Sequence, residues 1–397
     1  MASITSRLSL SVGLGAALAT PVLAITVLLT ACDESLAPGV ATAAEAWSAG
    51  VTGVEAGMGE FTATSSTTGI PVLDIGPATS AWDINERGVV AGAPGGLAAL
   101  WSLRDGWVEL GKFEDGGWSA AQSVNNRMHT VGVADIQVPP PKNSEVRAVL
   151  WTAPWEIVNL GTLGGPEASV ANDINERDQV VGFADAPGRH AYLWTSHDGM
   201  MDLGTIPGQP HDRTEAMSIN DRTQVVGFSF VEGTPRAFLW TERSGMTELP
   251  RLPGKQSAFA HAINNRGDVV GWSGNSTDAD EQDAIGEMRC PLGDYQAVLW
   301  SKSGDARPLG TLGGPASSAY NINERGQVVG WSYTTSGACH AFLWTEKGGM
   351  VDLGTLPDSE DWSWALGINN SGQIVGMTSA GYTKGLIWTV RGLTPDG

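Results

Sequence analysis

The side chains best suited to metal binding or proton transfer near neutral pH are six histidines, His129, His190, His197, His211, His261 and His340. None lies in a HExxH, HxH or mixed Cys/His pattern with metal spacing, so the sequence offers no metal site and implies no cofactor. A Gly-x-Ser-x-Gly elbow and a phosphate-binding loop are also lacking. One series is regular. Four residues before a recurring tryptophan stand Leu97, Arg147, His190, Arg236, Gln296, His340 and Lys384, five of them cationic or titratable. A broken ring of positive charge would attract an anionic ligand such as an acidic glycan. Arg147, His190, Arg236, His340 and Lys384, together with Trp364, are the candidate ligand-binding residues. The competing reading places the cations at strand borders, salt-bridged to nearby acids.

The three cysteines differ in setting. Cys32 ends Leu29-Thr30-Ala31-Cys32, after an apolar stretch from Leu8 to Leu29 preceded by Arg7, the shape of a secretory signal. That ending resembles the bacterial lipobox, which implies a signal peptide over 1–31, a lipidated Cys32, and a protein at the bacterial cell envelope. An Ala/Thr/Ser/Gly-rich run over 32–69 reads as a flexible tether. Cys290 and Cys339 fall in comparable loops of neighbouring repeats, where an oxidising compartment would favour a disulfide. Asp278, Asp280, Glu281, Asp283 and Glu287 crowd one insertion without EF-hand spacing, as a solvated acidic loop does.

What must position these residues is a repeat. An asparagine after Ile or Val recurs at Asn85, Asn125, Asn175, Asn220, Asn264, Asn323 and Asn369. A tryptophan after Leu or Ile recurs at Trp101, Trp151, Trp194, Trp240, Trp300, Trp344 and Trp388. Both give seven units, the shorter of about 44 residues, each with four β-rich runs, here named A to D. That is the arithmetic of a four-stranded propeller blade. The predicted fold is therefore all-β, a seven-bladed propeller over 70–397. Ile70 to Gly76 reads as a D strand ahead of the first A strand, able to close the last blade, although Gly392-Leu393-Thr394 competes for that place.

From each repeat asparagine to the glycine of the Val-Val-Gly step is seven residues throughout, and from tryptophan to the leucine of run D is nine in the six testable cases. The A-to-B and C-to-D hairpins are thus constant. From Val-Val-Gly to tryptophan the separation runs from 9 to 29, so B-to-C loops absorb the insertions. These loops share one face of the disc with the D-to-A loops, and that face is the expected binding surface. In strand A, an alanine four residues before the asparagine and an isoleucine or valine one before it fall, with period two, on opposite faces. The residues five and three before it differ between repeats and mark the channel mouth; only Glu215 and His261 among them look chemical.

His340-Ala341-Phe342, His190-Ala191-Tyr192 and Arg236-Ala237-Phe238, with Asp352-Leu353-Gly354-Thr355-Leu356, resemble the HAF family of bacterial extracellular repeats. The resemblance covers roughly residues 70 to 390 and implies a secreted or surface protein, with no catalytic residues to carry over. Net charge is -20, from 43 acids against 23 Lys and Arg, which argues against nucleic acid as a partner. The expected function is a monomeric, non-catalytic binding or scaffolding module for a protein or glycan, held to the membrane through its lipid alone. The alternative is a carbohydrate-active enzyme at the channel mouth, which paired carboxylates there would favour.

Overall fold

The computed structural model describes residues 62–77, 81–138, 144–165, 168–185, 188–208, 213–275, 293–359, 362–379 and 383–390. Cys32, Cys290, the acidic insertion and residues 391–397 lie outside them. Seven antiparallel sheets form the blades of a propeller, six with four strands and one with five. Blade 3 shows the pattern, with A Ser169–Ile174, B Val180–Asp185, C Arg189–Thr195 and D Gly199–Asp202 paired in that order.

Blade 7 is closed by the other end of the chain. Strand β2 (Pro71–Pro77) takes the D place beside Thr383–Thr389, with Val72 opposite Trp388 and Leu73 opposite Ile387. Lys384 Nζ then meets Asp74 at 2.8 Å. Outside β2 runs β1 (Thr62–Ser65), so regular structure begins inside the stretch read as tether. The turn after β1 is pinned to blade 6, the Thr67 N–H donating to the Thr355 carbonyl at 2.8 Å.

Every A strand carries an irregularity at the same place. Ala171 pairs with Gly182 and Asp173 with Val181, which leaves Asn172 as an extra residue, and the other six blades repeat this shift. Such a bulge reverses the alternation beyond it. The alanine and the isoleucine therefore share a face, contrary to the period-two expectation. Ala171 and Ile174 both pack on Val131, Ala148 and Leu150 of blade 2, and Ala81 and Ile84 on Val375 and Ile387 of blade 7. Each buried Ile or Leu in these seams contributes on the order of 2 kcal/mol. The glycine of Val-Val-Gly sits mid-strand opposite the bulge, not in a turn. A Cβ at Gly182, Gly227 or Gly271 would lie 1.9 to 2.0 Å from the carbonyl oxygen of Val170, Glu215 or Phe259.

The repeat tryptophans are buried between blades, from 0% exposed at Trp151 to 9% at Trp194. Trp300 donates its indole N–H to the Pro250 carbonyl at 2.6 Å. Among the described residues the Trp151 and Trp388 indoles find no acceptor, so a partner is not general at this position.

The repeat asparagines do more than form turns. Asn220 Oδ1 accepts from the Arg222 and Gln224 N–H groups of its own turn, both at 3.0 Å. Its Nδ2 donates to the Asn264 carbonyl of the next blade at 2.9 Å. The same inter-blade bond runs from each asparagine to the next, and Asn369 returns to the Asn85 carbonyl at 3.1 Å. A second ring lies beside it, in which the backbone N–H after each asparagine donates to a side-chain oxygen one blade on, as Glu176 N–H does to Asp221.

Candidate functional site

The bulge decides what reaches the axis. With the alternation reversed there, the residues three and two before each asparagine both face the channel. All seven bulge residues, Trp82, Gln122, Asn172, Met217, His261, Tyr320 and Leu366, line a cavity of about 470 Å³. It lies at the start of the A strands, on the side of the B-to-C and D-to-A loops. A smaller space of about 280 Å³ lies on the A-to-B turn side. The two share Asp83, Ser123, Asp173, Ser218, Ala262 and Asn321, which form the floor between them.

The walls are uneven. Blades 4 to 7 supply rings, with Phe228 stacked on Phe259 at 4.1 Å between centroids, His261 edge-on to Tyr320 at 4.7 Å, and Tyr320 tilted to Trp364 at 6.2 Å. Blades 1 to 3 supply the polar groups Asp83, Gln122, Ser123, Asn172 and Asp173, together with Trp82, Val170 and Phe183. Between these arcs the buried Glu215 accepts from Arg189 at 2.8 Å and faces Arg213 Nε at 3.3 Å. The guanidiniums in turn stack on rings, Arg189 over Phe183 at 4.1 Å and Arg213 over Phe230 at 4.6 Å.

The floor holds two carboxyl groups on one hydroxyl. Ser123 Oγ is 2.9 Å from Asp83 Oδ2 and 2.9 Å from Asp173 Oδ1. A serine has one proton to donate, so both contacts are hydrogen bonds only when one carboxyl carries a proton. The electrostatics agree. Burial, reinforced by the Asp83 charge, pushes the Asp173 carboxyl up to about 6, against hydrogen bonds from Ile219, Ser218 and Ser123 that favour its ionised form. Burial likewise raises Asp83, opposed by Val124, Ser123 and Ile84. Both side chains also tie blades together, Asp83 accepting from Val124 N–H at 3.1 Å and Asp173 from Ile219 N–H at 2.9 Å.

The sequence-predicted residues are distributed differently. Trp364 lines the cavity. The cations before the tryptophans do not: they sit on strand C, turned to partners nearby. His190 meets Asp202 and His340 meets Asp352, each at 2.9 Å, and Arg147 pairs with Glu145. Lys384 pairs with Asp74, as above, and Arg236 donates to the Gln256 carbonyl at 2.7 Å. The series is therefore a set of local strand-edge contacts and forms no ring at the cavity. Cys339 is disulfide-bonded. Among the described residues no three His, Cys, Asp or Glu side chains converge as metal ligands.

Asp83 and Asp173 escaped the sequence reading because period two sends residues five and three before the asparagine to the axis and turns the residue two before it away. The available signal was the glycine of Val-Val-Gly, since a glycine inside a strand marks a bulge.

A closed ring of seven blades around an axial cavity of small-molecule size is a seven-bladed β-propeller, its cavity lined by aromatic rings and polar side chains together. Virginiamycin B lyase from Staphylococcus aureus superposes with a TM-score of 0.50 at 13% identity, over 83% of this chain and 99% of that one. Its catalytically inactive variant with quinupristin gives 0.50 at 12% identity, over 83% and 100%. A lectin from Burkholderia pseudomallei gives 0.40 at 11% identity, over 75% and 94%. At these identities the likeness is one of fold. No family model matches the chain, and no curated protein matches it.

Proposed function

We propose that this chain is an exported binding module, lipid-anchored at Cys32, that receives a glycan in its axial cavity at the cell envelope without transforming it. The observation that carries this reading is the position of the 470 Å³ cavity, on the face where the repeats place all their large insertions. A pocket of roughly 300–1,000 Å³ suits a small ligand, and rings beside amides suit one with both an apolar face and hydroxyl groups. The resemblance to extracellular HAF repeats fits such a location. The test is a glycan array probed with the full-length protein in detergent, followed by calorimetry on the hits. An empty array, with binding only to proteins pulled down from envelope extracts, would overturn the glycan reading.

The Asp83–Ser123–Asp173 group favours a second reading, a carbohydrate-active enzyme, because a shared proton is what paired catalytic carboxylates hold. Against it, both side chains are clamped by backbone N–H groups of neighbouring blades. Mass analysis of saccharides after long incubation decides: cleavage that disappears in Asp173→Asn would establish the enzyme.

A further inference from the structure

The structure assigns an uncharged saccharide to the axial cavity, as a refinement that rests on the binding role proposed above. The walls leave few polar groups available to a ligand. Asp173 Oδ2 already accepts from Ser218 Oγ at 2.8 Å and Ile219 N–H at 2.9 Å, and its Oδ1 from Ile174 N–H at 2.8 Å with Ser123 Oγ at 2.9 Å. Asp83 Oδ2 takes Ser123 Oγ and Val124 N–H. Glu215 is committed to two arginines. These carboxylates have little left for a cationic ligand. An anionic ligand would meet the Asp83–Asp173 pair in the floor and a chain of net charge -20.

The groups with capacity to spare are neutral. Among the described residues the Gln122 carboxamide makes no hydrogen bond within the protein. Asn172 uses Nδ2 on the Ala216 carbonyl at 2.8 Å and Met217 Sδ at 3.8 Å, which leaves Oδ1 as an acceptor. Asn321 uses Oδ1 on the Ile322 N–H at 2.7 Å and keeps Nδ2 as a donor. Gln122 and Asn172 across from Tyr320 and Trp364, with Asn321 beside Tyr320, offer both donors and acceptors and match a sugar ring, whose hydroxyls both donate and accept and whose C–H face stacks on aromatic planes.

The test uses the full-length protein in detergent and reads heat and tryptophan emission. The probes are triacetylchitotriose, its deacetylated cationic counterpart, cellotriose and trigalacturonate. The expected result is that a neutral trisaccharide binds, quenches emission and shows little dependence on salt. Gln122→Ala should weaken it about tenfold, the loss of one good hydrogen bond. Gln122→Glu should weaken the neutral probe and raise affinity for the deacetylated one. Both variants must keep the wild-type unfolding midpoint, and Tyr320→Ala gives a second wall to test. Tighter, salt-dependent binding of trigalacturonate or of the cationic trimer to the wild type overturns the inference on charge while leaving glycan binding intact. No binding by any of the four, together with an empty array, overturns both.

Discussion

Asn220→Asp separates the two roles of the repeat asparagine. An aspartate keeps the turn: its Oδ1 still accepts from Arg222 and Gln224 N–H, at 3.0 Å each in the native chain. What it loses is Nδ2, which donates to the Asn264 carbonyl at 2.9 Å and to Gln224 Oε1 at 2.9 Å. Gln224 can turn its own amide and donate instead, but the Asn264 carbonyl cannot. A carbonyl oxygen then faces a carboxylate oxygen at a position only 4% exposed. An orphaned carbonyl costs about 1–3 kcal/mol, and a carboxylate oxygen held against it where a donor stood brings the total to about 3–5 kcal/mol at pH 7. The environment disfavours the ionised form, so the folded-state pKa of the new carboxyl rises. Its penalty is full above that value and shrinks as pH falls, because the protonated carboxyl donates to Asn264 again. The assay is guanidinium unfolding followed by tryptophan emission, for wild type, Asn220→Asp and Asn220→Ala at pH 7 and pH 5. The expected outcome is a large loss for both variants at pH 7 and recovery at pH 5 for the aspartate alone. An Asn220→Asp protein as stable as wild type at pH 7 would refute the inter-blade clasp, since aspartate is as good a turn former as asparagine.

The floor, the bulge and the closing strands each yield a further expected outcome. With Asp173 raised from 3.8 to about 6, the folded state holds the proton more tightly than the unfolded chain, so this contribution to stability is full below about pH 4 and is lost as pH rises through about 6. It amounts to roughly 3 kcal/mol at most, and Asp173→Asn should remove that slope from the unfolding midpoints; parallel slopes would count against a shared proton. Gly271→Ala places a Cβ 1.9 Å from the Phe259 carbonyl oxygen and should cost on the order of 3 kcal/mol or more. Gly304→Ala, in open space at φ +89, should cost only about 1–2 kcal/mol, so equal losses in a thermal melt would contradict the role given to the bulge. Removing residues 62–77 strips β1 and β2 from blade 7 and leaves Thr383–Thr389 as an open edge. The expected result is self-association on gel filtration, and a well-folded monomer would show that closure is dispensable.

Most of the fold was legible along the chain. The number of blades, four strands in each and the constant hairpins are all local or periodic facts, and a repeat counts itself; Ile70 to Gly76 was legible as one of two segments able to close the last blade. The site was legible only in part. Glu215, His261 and Trp364 were placed at the channel mouth from strand position, and all three line the cavity. The residues two before the asparagine were not.

The sequence by itself determined which residues are neighbours within a blade, because hairpin lengths fix the ladder and the ladder fixes the pairs. Tertiary structure decided which residues meet between blades. Ser123 comes between Asp83 and Asp173 only because three A strands converge on one axis and each is bulged one residue before the floor. A bulge adds a residue without any side chain that announces it. Its trace is the absent Cβ of a glycine on the partner strand, and its effect is to turn the rest of strand A over. Ring closure is of the same kind: Asn369 reaches the Asn85 carbonyl, and Lys384 reaches Asp74, because seven equal blades return the chain to its start.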